Sequence, residues 1–156
     1  MVDTRFFSHF TGGQEYIIYR KRGWPESWGV CLQWWAMKDF EIGFTCPAAE
    51  VQDEEGRRAS KDEYALIKAA VEDKVRAIDD KVKRHAEWWP AYTSLKEPFR
   101  DWTEAQTLVL LAGHDVCDDG QSAVATFVGW FLNIADAAAS TIDEILQSST
   151  HSADVP

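Results

Sequence analysis

The feature that most constrains this chain is a change of hydrophobic period at Cys46-Pro47. Ahead of it apolar residues alternate; behind it they recur every three or four positions. Over residues 28–38, Val30, Leu32 and Trp34 point one way and Cys31, Gln33 and Trp35 the other, the period of a strand. Phe40, Ile42 and Phe44 repeat the pattern directly after Lys38-Asp39, close enough for a tight hairpin. Residues 14–22, with Tyr16, Ile17, Ile18 and Tyr19, are aromatic and β-branched and predict a further strand, followed by the turn signal Gly23-Trp24-Pro25-Glu26-Ser27. Proline cannot donate to a ladder, so Cys46-Pro47 ends the third strand. The pattern predicts a three-stranded antiparallel meander.

Residues 48–59 are polar and acidic, a loop between layers. Ser60-x-x-Glu63 is a capping box, in which hydroxyl and carboxylate satisfy amides at a helix start. Tyr64, Ile67, Val71, Val75, Ile78 and Val82 then form one apolar stripe, predicting a long helix that ends near Trp89-Pro90. A short helix limited by Pro98 is expected in residues 92–100. Thr103-x-x-Gln106 repeats the capping box ahead of a helix that Gly113 closes. Asp118 or Asp119 is placed to cap a last helix over about residues 121–147. Its 124–139 part is apolar nearly all round and is therefore expected to be the central buried helix. The fold class that follows is α+β, an N-terminal three-stranded meander followed by a three- to four-helix layer. Residues 1–147 form one domain, with strands about 14–46 and helices about 60–147, and residues 148–156 are a flexible tail. A length of 156 residues suits one domain, and eight tryptophans help to fill its core without a disulfide or metal staple.

Charge is unevenly spread. Residues 1–47 hold five acids and five bases, residues 48–101 thirteen acids and eleven bases. Residues 102–156 hold eight acids and no Lys or Arg, so −8 of the formal −10 lies in the last third. A field of one sign repels nucleic acid and anionic lipid and attracts basic protein surfaces. Neither direct nucleic-acid binding nor membrane attachment is expected. No uninterrupted apolar run reaches ~18 residues, and Met1-Val2-Asp3-Thr4-Arg5 lacks the basic and apolar regions of a secretory signal. Three cysteines, Cys31, Cys46 and Cys117, suit reduced thiols. A cytoplasmic location is the expectation.

Several constellations bear on chemistry. His85-Ala86-Glu87 has the His-x-Glu form of a zinc nucleobase deaminase, but the Pro-Cys-x-x-Cys that would complete the ligands is missing and only Cys117 lies downstream. Leu110-Leu111-Ala112-Gly113-His114-Asp115 resembles the His-Asp step that ends a helix in HD-domain phosphohydrolases. That resemblance implies a divalent metal on His114 and Asp115 generating a nucleophilic water, with His85 as the upstream histidine and Asp136 as the later helical aspartate. It covers six residues, and Gly113 and the β-rich N-terminus depart from the family. Asp115, Asp118 and Asp119 have the look of a cation loop, but the Glu required twelve residues after the first ligand is replaced by Thr126. No phosphate-binding glycine loop or Gly-x-Ser-x-Gly elbow is present.

With no completed catalytic set and no cofactor expected, binding is the leading expectation. Trp34 and Trp35 are adjacent on a strand and must face opposite ways, and Trp24 and Trp28 flank a turn. Tryptophan is favoured at contact hot spots because it buries much area with few rotatable bonds. The candidate partner-binding residues are Trp24, Trp28 and Trp35 with Asp115, Asp118, Asp119, Asp143 and Glu144. The profile is that of a non-enzymatic inhibitor or interaction protein that binds and blocks a basic macromolecular partner, such as a nucleic-acid-binding complex. Small phage anti-defence proteins, anti-CRISPRs among them, and immunity proteins share that profile as a class. The alternatives are the HD-like hydrolase using His85, His114 and Asp115, and a structural protein that forms a homo-oligomer through the open sheet edge.

Overall fold

A computed structural model describes residues 2–11, 14–49, 57–81, 86–113 and 122–151. Among them the elements run β1 (Val2–Thr11), β2 (Gln14–Lys21), β3 (Gly29–Trp35), β4 (Lys38–Thr45), α1 (Lys61–Ile78), β5 (Ala91–Ser94), α2 (Ala105–Leu111) and α3 (Ala123–His151). The five strands form one antiparallel sheet in the order β1-β2-β3-β4-β5. The chain is therefore α+β and contains the expected meander as β2, β3 and β4, widened by one strand on each side. For β1 the signal is Gly12-Gly13 set between two β-prone runs, although β1 lacks the strict alternation that marks β3 and β4. β5 replaces the short helix expected in residues 92–100. Its four residues are too few to show a period, and pairing with β4, Ile42 opposite Thr93 and Phe44 opposite Ala91, makes them a strand.

α1 begins as its sequence predicts. The Ser60 hydroxyl accepts from the Glu63 amide at 3.3 Å, and the Glu63 carboxylate accepts from the Ser60 amide at 2.8 Å. Ile67, Val71, Val75 and Ile78 are the buried stripe. The helix stops at Ile78, well short of Trp89-Pro90. Asp79 caps it in extended conformation, and its carboxylate accepts from the Lys81 amide at 3.0 Å, a local bond that competes with helical pairing. Val82 lies outside the described residues. The second capping box does not form either. Thr103 donates its amide and hydroxyl to Asp101 at 2.8 and 2.5 Å, and α2 starts behind Glu104 without a side-chain cap. Gly113 does close α2, at φ 77°, with its amide on the Leu110 carbonyl. Ser122 accepts from the Ala125 amide at 3.2 Å at the start of α3; Asp118 and Asp119 lie outside the described residues. α3 runs on to His151, so residues 148–151 are helix and not tail.

The sheet presents Val30, Leu32, Phe40, Ile42 and Phe44 to one core with the α1 stripe and with Ile134, Ala138 and Ile142 of α3. Fully burying a side chain of this kind contributes about 1.5–3 kcal/mol, which makes this layer contact the main support of the fold. α3 is not buried all round as its composition predicts. Val124, Val128 and Leu132 are 51, 49 and 51% exposed, while Phe127 in the same half packs edge-on against Phe99 and Trp102. Residues Ala123–Ser148 have the length and the mean hydropathy, 1.3, of a membrane span. Part of that apolarity is accounted for by Ile134, Ala138 and Ile142, which are packed inside the domain.

Candidate functional site

The turn between β3 and β4 has the most unusual backbone among the described residues. Trp35 pairs with Lys38, leaving a two-residue loop of Ala36 and Met37 with φ of 49° and 62°; Asp39 follows at 50°. Positive φ at both loop positions is the type I′ signature, normally written with Asn and Gly. The left-handed region costs a residue with a Cβ roughly 1–2 kcal/mol. The turn also lies ahead of the expected Lys38-Asp39, because both of those side chains are engaged elsewhere. Arg100 grips Asp39 through Nε and Nη2 at 3.0 and 2.7 Å, and Lys38 Nζ meets Asp101 at 3.0 Å. The main chain is braced by the same segment: the Met37 carbonyl accepts from the Trp102 amide at 3.0 Å, and the Phe40 amide donates to the Arg100 carbonyl at 3.4 Å.

Behind the tip an aromatic column links β3 and β4 to the segment ahead of α2. Trp34 stacks on Phe40 at 5.3 Å between ring centres, and Phe40 on Trp102 at 4.1 Å. Trp35, on the opposite face of β3, is 54% exposed, and Met37 is 41% exposed. Strain of this kind persists only where the surroundings over-determine it, and it gathers at binding and catalytic positions.

Beside the tip runs a groove lined by Glu97, Pro98, Asp101, Glu104, Gln106 and Thr107. With Asp39, four carboxylates stand near two cations, Lys38 and Arg100, a local balance of −2. Hydrogen bonds from the Thr103 hydroxyl and from Lys38 hold the Asp101 carboxyl down at about 2, from an ordinary 3.8. A depressed carboxylate stabilises the fold above its unfolded pKa and loses that contribution as pH falls through its folded one. Melting temperature is therefore expected to drop between about pH 4 and pH 2, as the Asp101 bracing is protonated away. An Asp101→Asn chain should lack that part of the slope; identical acid profiles for the two chains would rule out the bracing role.

The residues expected at a contact site separate. Trp35 is exposed, but Trp24 and Trp28 are core residues, 4 and 0% exposed, and leave the candidate set. Trp24 meets Phe44 edge-on at 6.0 Å, and Trp28 donates to the Arg57 carbonyl at 3.0 Å beneath the Arg57 guanidinium. A tryptophan beside a turn is drawn inward when its indole N–H finds a partner there. Asp143 is engaged within the domain: Lys21 Nζ lies 2.6 Å away and the Trp24 indole donates to it at 3.5 Å. Both bonds, that from Lys21 foremost, lower the Asp143 pKa. Glu144 and Asp136 are exposed on α3. Asp115, Asp118, Asp119, His85 and His114 lie outside the described residues, and so does the hydrolase set apart from Asp136. Among the described residues no three His, Cys, Asp or Glu side chains are grouped to hold a metal. Cys31 and Cys46 are buried, and burial pushes both thiols up, away from the thiolate a nucleophile needs.

Met37, Asp39, Glu97, Asp101 and Glu104 were not legible as a site. All but Glu104 lie outside the acidic last third, and the strand and turn contacts that gather them are long-range. No family model, curated protein or solved structure matches the chain. What the site can do follows from its geometry: an exposed indole and thioether on a braced turn can fill an apolar pocket, while flanking carboxylates meet Lys or Arg.

Proposed function

We propose that this chain works by binding and not by catalysis, as a non-enzymatic protein that covers a basic surface of a macromolecular partner. The observation that carries the reading is the Trp35–Met37 tip, an exposed apolar anchor on a turn held against its own backbone preference. A preorganised anchor loses little conformational freedom on docking. The groove carboxylates next to it, with a chain charge of −10, favour encounter with a positive surface. A partner groove that normally holds nucleic acid is blocked when such a surface sits in it, the mode of action of an inhibitor of the anti-CRISPR or immunity type. A cytoplasmic setting agrees with the buried free thiols.

The test compares tagged parent and Trp35→Ala chains in an extract of the native host at low and high salt, with retained proteins quantified by mass spectrometry. A basic protein held by the parent is expected to fall roughly 30-fold with the variant, the loss of a hot spot of about 2 kcal/mol. It should also fall as salt rises. The variant should melt within roughly 2 °C of the parent, since Trp35 is a surface side chain. Equal retention of basic proteins by both chains, or retention indifferent to salt, would sink the proposal.

A further inference from the structure

We infer that the exposed ridge along the first half of α3 is where two copies of this chain meet, their helices antiparallel about Val128. Val124, Val128 and Leu132 stand at i, i+4 and i+8, a single ridge about half exposed along its length. Ala125 is exposed beside them, and Gly129 has open space where a side chain would stand, so a second helix can approach the backbone there.

The chemistry of the ridge selects its occupant. No charged residue occurs from Ala123 to Ala135, so a basic surface finds nothing to pair with. Helices that lie on anionic membranes carry Lys or Arg along their polar face, and residues 102–151 hold neither. A second copy fits on both counts. About a two-fold axis at Val128, Leu132 meets Val124 of the other copy and Val128 meets its own equivalent, a self-matched row. Three half-exposed side chains and their small neighbours on each copy make a contact well under the roughly 1,200 Å² of a stable interface, the size class of weak, reversible association.

The salt dependence separates this contact from the proposed partner binding. Two molecules of charge −10 repel, and salt screens that repulsion while leaving an uncharged ridge intact. Self-association should therefore strengthen with salt, the opposite sign to docking on a basic surface. Sedimentation velocity on the full chain, across protein concentrations at low and high salt, reads this directly. The parent is expected to shift from monomer towards dimer as concentration and salt rise. Val128→Lys, an exposed change to a good helix former, should raise the dimer dissociation constant at least ~10-fold with an unchanged far-UV spectrum and melt. A parent that stays monomeric at the highest concentration would overturn the inference. So would a Val128→Lys chain that dimerises as well as the parent, or binding of the monomeric parent to neutral phosphatidylcholine vesicles, which would assign the ridge to a bilayer.

Discussion

A Gly43→Ala chain is expected to lose about 3 kcal/mol of stability or more, although alanine is the better residue for a strand in isolation. One intrinsic effect favours the substitution: it reduces the freedom of the unfolded chain, worth roughly 0.4–1 kcal/mol. Against it stands the approach of β5. A methyl group on Gly43 would fall on the Ala91 carbonyl oxygen and lie 2.6 Å from both Cα and Cβ of Tyr92. These are atoms of the paired strand itself, with Gly43 directly opposite Tyr92, so no side-chain rotation relieves the overlap. Overpacking costs typically about 1–3 kcal/mol and occasionally more; overlap with backbone atoms of the partner strand places this site at the upper end, and the outcome is separation of β5 from β4. At this chain length the melting temperature should fall roughly 6–12 °C. A melt within about 2 °C of the parent would mean that β4 and β5 do not approach so closely.

The second large effect is expected at Phe40. Its side chain is fully buried and forms the middle of the Trp34–Phe40–Trp102 column, while its backbone bonds both Arg100 and Leu95. Truncation to alanine removes the transfer free energy of the ring and leaves a cavity between two indoles, together about 3–5 kcal/mol. Stacked aromatic pairs add roughly 0.5–1.5 kcal/mol beyond area, which places this site towards the upper end. Unfolding in urea should shift by that amount, and the indoles of Trp34 and Trp102 should gain water and move their fluorescence emission to the red. The consequence for binding is separate from stability. Without the column the hairpin tip loses its floor, so partner capture by the Phe40→Ala chain should fall even at temperatures where it remains folded. A loss under ~1 kcal/mol would show that the column collapses around the gap at little cost.

Several elements were readable from residues alone because their signals are local. Alternation in residues 28–46 depends only on successive side chains leaving opposite faces of a strand, and β3 and β4 are strands where it places them, although Cys31 on the other face of β3 is buried as well. Ser60 and Glu63 lie within one turn of each other and formed their reciprocal cap. The stripe Ile67, Val71, Val75 and Ile78 is a helical period, and each member is buried. Thr103 and Gln106 have the same capping spacing and failed, because Asp101, two residues upstream, offers Thr103 a better acceptor. The short β5 had no period to show and is a strand only because β4 lies beside it.

Sequence by itself determined the strand class of β2, β3 and β4, the helical class of α1, α2 and α3, and the opposite facing of Trp34 and Trp35, since these follow from backbone geometry over a few residues. Tertiary structure alone decided which apolar groups stay in water. Trp24 and Trp28 turned inward and Trp35 outward, and Val124, Val128 and Leu132 along one side of α3 were left half-exposed. It also decided where charge collects. Asp39, Glu97, Asp101 and Glu104 come together around a strained turn through bonds between segments some sixty residues apart, and exposure and electrostatic potential are properties of that arrangement, not of the order of residues along the chain.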